Sequence, residues 1–226
     1  MIVTTIFDNG WLERICKEII NSNEIEYTSI IYIPDYKTPK SIFPKIKKFK
    51  KKGINILYLS IEEQYLYERK LKIKNFIKYN SDHRRNIGFI LAYKNDFDFI
   101  ISMDDDNFPL LKNFVQEHRK RLGQQKGKRT VNSKNNLFNN CTLLGKNIFI
   151  HPRGFPLNKR NINYKSIYSY KKNNLLNVAC NVGLWTISPD VDAISWLVKQ
   201  EKVDTKKCDE IIISKKTYCP INTQNT

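Results

Sequence analysis

Phe97-Asp98-Phe99-Ile100-Ile101-Ser102-Met103 runs straight into Asp104-Asp105-Asp106. Seven residues dominated by Phe, Ile and Met read as a buried strand. The three acids that follow cannot belong to an apolar interior, so they mark the strand's carboxyl end. In α/β sheets that end is where ligands bind. Upstream, strand-like and helix-like segments alternate. Residues 2–7, 27–33 and 54–59 are β-branched runs, while 11–20, 41–51, 61–79 and 84–93 carry apolar residues at helical spacing or a helix start signal. Asn9-Gly10, Pro34, Gly53 and Ser81-Asp82 punctuate them. Alternation of this kind predicts an α/β fold with a mostly parallel central sheet.

The second half is less regular. Residues 107–122 read as a helix, 123–140 as a polar, basic loop, 143–150 and 182–187 as strands, and 190–200 as a helix. Residues 158–174 are polar and Tyr-rich and read as an excursion over the ligand-binding face. No internal repeat or low-complexity linker divides the chain.

The 226 residues hold 41% hydrophobic and 12% aromatic residues, enough for a sizeable core. No apolar run approaches the roughly 18 residues of a spanning helix, and the N-terminal segment lacks the pattern of a signal peptide. Cys16, Cys141, Cys180, Cys208 and Cys219 are odd in number and scattered, without a C-x-x-C. That argues against a disulfide framework or zinc site and for a reducing cytoplasm, with the protein dissolved there or peripheral to a membrane. The 39 Lys and Arg against 22 Asp and Glu give a net charge of +17. Such a charge suits a polyanionic partner. It also follows from a composition rich in Asn, Ile, Tyr and Lys on a solvated surface.

On an extended chain Asp104 and Asp106 point to the same side, with Cα atoms about 6.5 Å apart. Like charges this close repel, and a bound cation relieves them. All-oxygen ligands suit Mg²⁺ or Mn²⁺, with a diphosphate supplying further oxygens. The plainer alternative is an acidic strand end in water.

Ahead of the strand stands Arg84-Arg85-Asn86-Ile87-Gly88-Phe89-Ile90-Leu91-Ala92. Gly88 and Ala92 share a helix face and permit close packing on a sheet. Arg84 and Arg85 fall in the first turn, where the helix dipole disfavours cations, so an anionic partner is expected there. Arg85, Asn86, Gly88 and Ala92 resemble the R-N-x-G-x-x-x-A helix before the DxD strand of GT-A-fold glycosyltransferases. The resemblance implies that Asp104, Asp105 and Asp106 serve a divalent metal (Asp104 and Asp106) and a nucleotide sugar. It also implies that Arg85 and Asn86 take part in nucleotide-sugar binding, with Thr4, Thr5 and Asp35 lining the base pocket.

Two later segments narrow the likeness. His151-Pro152-Arg153-Gly154-Phe155-Pro156-Leu157-Asn158-Lys159-Arg160 and Gly183-Leu184-Trp185-Thr186-Ile187-Ser188-Pro189-Asp190-Val191-Asp192-Ala193 resemble the R-G-Y-P and G-L-W…P-D-x-D-A motifs of the reversibly glycosylated polypeptides, or UDP-arabinopyranose mutases. Met103–Pro109 resembles that family's I-D-D-D-C-F-P. The resemblance implies a UDP-sugar donor, Mn²⁺ or Mg²⁺, Trp185 at the nucleotide sugar, and catalytic roles for Arg153, the family's self-glycosylation position, and Arg160. Because a guanidinium stays protonated, both arginines have a second reading as diphosphate clamps. The histidine that precedes Gly-Leu-Trp in the family is Val182 here, and His151 is a candidate substitute.

The expected function is a metal-dependent glycosyltransferase-type enzyme using a UDP-sugar. Its acceptor is unknown: a glycan, or the chain itself by self-glycosylation. A UDP-sugar mutase is the alternative, and a basic nucleic-acid-binding protein is the rival from another class. Nucleic acid is not the expected partner, because it leaves the triplet and the two long motifs without a role. The whole chain, 1–226, is expected to form one GT-A-like domain, with 1–109 the nucleotide-binding half and 110–226 a partial acceptor-side half cut short after Thr226.

Overall fold

Ile2 and Val3 face opposite sides of a strand, and so do Ile30 and Ile31. That alternation builds a sheet covered on both faces. Four parallel strands form it: β1 (Ile2–Thr5), β2 (Ser29–Pro34), β3 (Asn55–Tyr58) and β4 (Ser102–Asp104). Their order is β3-β2-β1-β4. The structure is a computed structural model describing residues 1–73, 76–110, 112–144, 150–160, 163–183, 191–198 and 210–220. It comprises two compact units, 1–120 and 121–226, and the sheet belongs to the first.

Helices α1 (Trp11–Asn21) and α2 (Ile42–Lys51) connect β1 to β2 and β2 to β3. Trp11, Leu12, Ile15 and Ile19 of α1 and Ile42, Ile46 and Phe49 of α2 pack with Val3, Ile30, Tyr32 and Ile56. After β3 the chain forms α3 (Ile61–Lys70), closed at its start by a capping box between Ser60 and Glu63. It then forms α4 (Arg85–Lys94), which covers the other face of the sheet. Ala92 there joins Ile2, Ile31 and Ile33. A Cβ on Gly88 would lie 2.6 Å from Ile2 Cγ2 and 3.5 Å from Ile33 Cγ1, so the glycine sets how closely α4 approaches the sheet. The result is a Rossmann-like α/β unit. No helix among the described residues is long and apolar enough to cross a membrane.

Several expected boundaries differ. The helix expected over 61–79 stops at Lys70, because Lys72 takes a left-handed φ of 59° and closes the end. Of the strand expected over 97–103, only Ser102 and Met103 pair, together with Asp104. Among the described residues β4 pairs with β1 alone, whose first paired residue, Ile2, sits opposite Ser102. Ile101 and Met103 are buried, but Phe97 and Ile100 are exposed. The helix expected over 107–122 shrinks to α5 (Phe114–Arg119). Pro109 disfavours helical backbone at Phe108, and Asn113 turns left-handed at φ 57°.

The second unit holds more sheet than its sequence predicts. The expected loop over 123–140 contains β5 (Gly123–Gln125) and β6 (Arg129–Ser133). The expected excursion over 158–174 contains α6 (Tyr164–Ile167) and β7 (Tyr168–Lys172). β5 pairs antiparallel with β8 (Leu176–Val178). β6 pairs antiparallel with β7 and parallel with β9 (Ile212–Ile213). In β6 Val131 is the single apolar residue and is fully buried, so cross-strand pairing rather than hydrophobic alternation makes the strand. The strand expected over 143–150 begins instead with a 3₁₀ turn at Asn140–Leu143, and 145–149 lie outside the described residues. Of 182–187, Val182 and Gly183 form no regular element and the rest lie outside the described residues. The last expected helix is α7 (Ala193–Val198).

Gly88→Ala tests the close approach of α4. Alanine raises helix propensity by about 1 kcal/mol, but the methyl must displace buried Ile2 or lift the helix. We predict a net loss of about 1–2 kcal/mol in urea denaturation. A variant as stable as the parent would show that α4 has room to spare.

Candidate functional site

Strand order reverses between β1 and β4: β1 is followed in space by β2 on one side and by the last strand on the other. The chain leaves these neighbouring strands in opposite directions and opens a crevice at their carboxyl ends. Thr4 is paired with Asp104 there. The triplet therefore stands at the topological switch point.

Local hydrogen bonds hold it. The Thr5 hydroxyl bonds the Asp105 carboxylate, lies 2.8 Å from Phe7 O and accepts from Phe7 N at 3.1 Å. The Asn9 side chain donates to the Asp105 carbonyl at 2.6 Å, and its own oxygen accepts from Trp11 N at 3.1 Å. The sequence marked Asn9-Gly10 only as a break. Its further signal is an Asn two residues before the first helical residue, where an Asx turn satisfies an orphan N–H.

Arg85 forms an ion pair with Asp104 and reaches Ser102 Oγ at 3.3 Å. Burial pushes the Asp104 carboxyl above its ordinary value. The hydrogen bond and charge of Arg85 offset part of that rise, and Asp106 and Asp105 add to it. Asp105 is half-buried and Asp106 exposed, as is Asn86 on α4. Arg84 goes the other way. It is 1% exposed and pairs with Glu68. It also donates to Gln64 Oε1 at 2.5 and 3.0 Å and to Ile77 O at 2.9 Å, and it lies 3.9 Å over the Tyr79 ring. The anionic partners expected for the two arginines thus come from the protein itself.

Asp35, just past β2, accepts from Tyr36 N at 2.7 Å and from Asn80 N at 2.6 Å. Its own N–H meets Thr38 Oγ1, which donates to Thr5 O at 2.6 Å. Asp35 therefore ties the loops after β1 and β2 to the segment before α4. The surface beside the triplet, lined by Thr5, Phe7, Asp8, Asn9, Trp11 and Asp105 among others, is a shallow depression that encloses no measurable cavity. The Trp11 indole N–H is buried there without a hydrogen-bond partner. Ordinary ligand pockets measure ~300–1,000 Å³, so this depression does not by itself enclose a ligand.

For a metal, the donor set fits a hard cation: Asp104 and Asp106 carry carboxylate oxygens, the ligand type such an ion takes. Among the described residues no three His, Cys, Asp or Glu side chains gather to hold an ion unaided, so ligand or water oxygens would complete the shell.

In the second unit the two long sequence motifs meet. Pro152 bridges Val191 in antiparallel fashion, and Asp192 N donates to His151 O at 3.0 Å. Arg160 pairs with Asp192 at 3.2 Å. Asp192 also caps α7, accepting from Ser195 N at 3.0 Å and Ser195 Oγ at 2.9 Å, while Ser195 Oγ accepts from His151 N at 3.1 Å. The sequence left Ser195 unmarked; its signal is the three-residue spacing from a capping Asp. His151 Nε2 lies 2.8 Å from Tyr164 Oη, and burial lowers the His151 pKa. Arg153 is exposed, next to Gly154 at φ 82°. Trp185 lies outside the described residues.

Because the folded-state pKa of Asp104 is raised, its ionisation costs stability as pH climbs through that value. Arg85 limits the cost. In Arg85→Gln the loss should be small at pH 3, where Asp104 is protonated in both states, and reach about 3 kcal/mol at pH 7. Urea denaturation at the two pH values checks this. An equal loss at both would assign Arg85 a packing role only.

The chain matches no protein-family model and no curated protein.

Proposed function

We propose that the chain is a metal-dependent glycosyltransferase-type enzyme whose donor is a nucleotide sugar of the UDP class, on a fold of the GT-A kind. One observation carries the reading: three consecutive carboxylates at the carboxyl end of β4, at the switch point beside β1, with Arg85 behind the first of them. Nucleotide ligands take this place in open parallel sheets.

Asp104 and Asp106 are the groups that would hold Mg²⁺ or Mn²⁺, which when bound offsets charge on a diphosphate leaving group. The chain's own residues do the rest. Arg85 fixes Asp104, and Thr5 and Asn9 fix Asp105, so these two acids are set before ligand arrives, while Asp106 stands exposed beside them. Thr4, Thr5 and Asp35 shape the edge proposed to face the base; Asp35 does so through the loops it ties. Arg153 is an exposed residue, and a guanidinium's planar fork suits phosphate oxygens. Asp192 holds Arg160, which makes Arg160 a positioning residue in this reading.

The mutase form of the same chemistry is favoured by one specific observation, the joining of the Arg153–Arg160 segment to the segment that ends in Asp192 and Ala193. In both forms the bond between sugar and diphosphate breaks. In a transferase the sugar leaves on an acceptor, and in a mutase it returns to UDP in another ring form.

Calorimetric titration of UDP with and without Mn²⁺ tests the proposal. The parent should bind at least tenfold tighter with Mn²⁺, and Asp104→Asn with Asp106→Asn should abolish that gain, with far-UV circular dichroism verifying the fold because Asp104 also pairs with Arg85. Metal-dependent binding that survives both substitutions would place the site elsewhere.

A further inference from the structure

α2 has the sequence Ile-Phe-Pro-Lys-Ile-Lys-Lys-Phe-Lys-Lys and contains no acid. Ile42, Ile46 and Phe49 face the core. At about 100° per residue this leaves the outward half of the helix to Lys47, Lys48, Lys50 and Lys51, all exposed and extended by Lys40 and Lys52 at the two ends. Among the described residues Lys45 is the α2 lysine with carboxylate partners, Asp8 and Glu13, each at 2.6 Å. One exposed acid, Glu26, adjoins Ile25, which packs beside Gly53 just past the helix. Cations at a helix C-terminus are favoured by the dipole, but that effect falls off within one turn and does not account for a lysine surface along the helix.

We propose that the outward face of α2 is a docking surface for an anionic lipid bilayer. Three features favour a bilayer over a nucleic acid. The patch is the convex outside of a helix layer, which meets a plane, whereas single strands are held in grooves. All its cations are lysines, strongly hydrated point charges that act on a diffuse surface potential, and it holds no arginine fork for individual phosphates. Its one exposed aromatic is Phe43, in tilted contact with Tyr58 at 5.0 Å, and a single ring gives successive bases no row to stack on. Phe43 and Pro44 instead add a small apolar edge at the amino end of the helix. α2 runs back from the carboxyl end of β2 to the start of β3, so the lysines concentrate toward the sheet edge opposite the triplet. Docking there would leave the triplet edge clear.

The test is co-sedimentation of the full chain with vesicles of phosphatidylcholine alone and of phosphatidylcholine with 30% phosphatidylserine, at about 0.1 and 0.5 M salt, where the screening length shrinks from about 10 Å to about 4 Å. We expect binding to the anionic vesicles only, lost at high salt and weakened at least tenfold in Lys47→Glu/Lys48→Glu/Lys51→Glu. A charge-matched control, Lys126→Glu/Lys171→Glu/Lys172→Glu in the second unit, should bind within twofold of the parent. Thermal melts verify folding, and the corresponding Lys→Gln triple replaces any variant that fails to fold. Equal loss in patch and control variants would reduce the effect to net charge and overturn the proposal. So would absence of vesicle binding, or a patch-dependent affinity for a 20-nucleotide single-stranded RNA that exceeds that for the vesicles.

Discussion

Two adjacent arginines at the head of α4 set where the triplet stands. Arg84 and Arg85 occupy the helix turn where a cation is least welcome, and both are buried, where an unpaired charge costs several kcal/mol. The fold accepts them because each meets a carboxylate from a different element. Arg84 reaches back to Glu68 on α3 and to the Ile77 carbonyl, and Arg85 reaches forward to Asp104 at the end of β4. The head of α4 is thereby bolted both to the segment that follows β3 and to the strand that carries the acids. Gly88 one turn on lets the helix lie close enough to the sheet for both reaches. Asp35 completes the frame by accepting from Asn80, just before this turn, and from the loop after β2.

Much of the first unit is legible because its chemistry is local. Apolar runs of β-branched residues, Gly53 at φ 91°, Ser81 capping the turn before α4, and the Gly88–Ala92 face all announce themselves within a few residues. The misread parts depend on partners far away in sequence. The length of β4 is set by its register on Ile2, a hundred residues earlier. β6 and β7 are polar strands whose pairing, not whose composition, makes them strands. The site divides in the same way. Its acids are legible as a motif at a strand end. Their restraints from Thr5, Asn9 and Arg85 are side-chain contacts that no spacing rule contains. The anionic partner inferred for the first turn of α4 is real, but the protein supplies it.

The net charge of +17 also resolves into parts with different physics. The arginines of the two candidate regions are mostly neutralised in place: Arg84 by Glu68, Arg85 by Asp104, Arg160 by Asp192. A guanidinium keeps its charge at any physiological pH, so burying one demands a carboxylate. The unbalanced charge sits on exposed lysines, those of α2 among them, where hydration makes it inexpensive. An anion drawn by the long-range field thus meets lysine surfaces first, while the carboxyl end of β4 presents three acids, the first of them paired with Arg85. A bare diphosphate approaching that edge is repelled by the carboxylates proposed to receive it. Either a cation arrives with it or the edge binds something other than a phosphate. Dependence on a divalent metal is therefore the property on which the nucleotide-sugar reading turns.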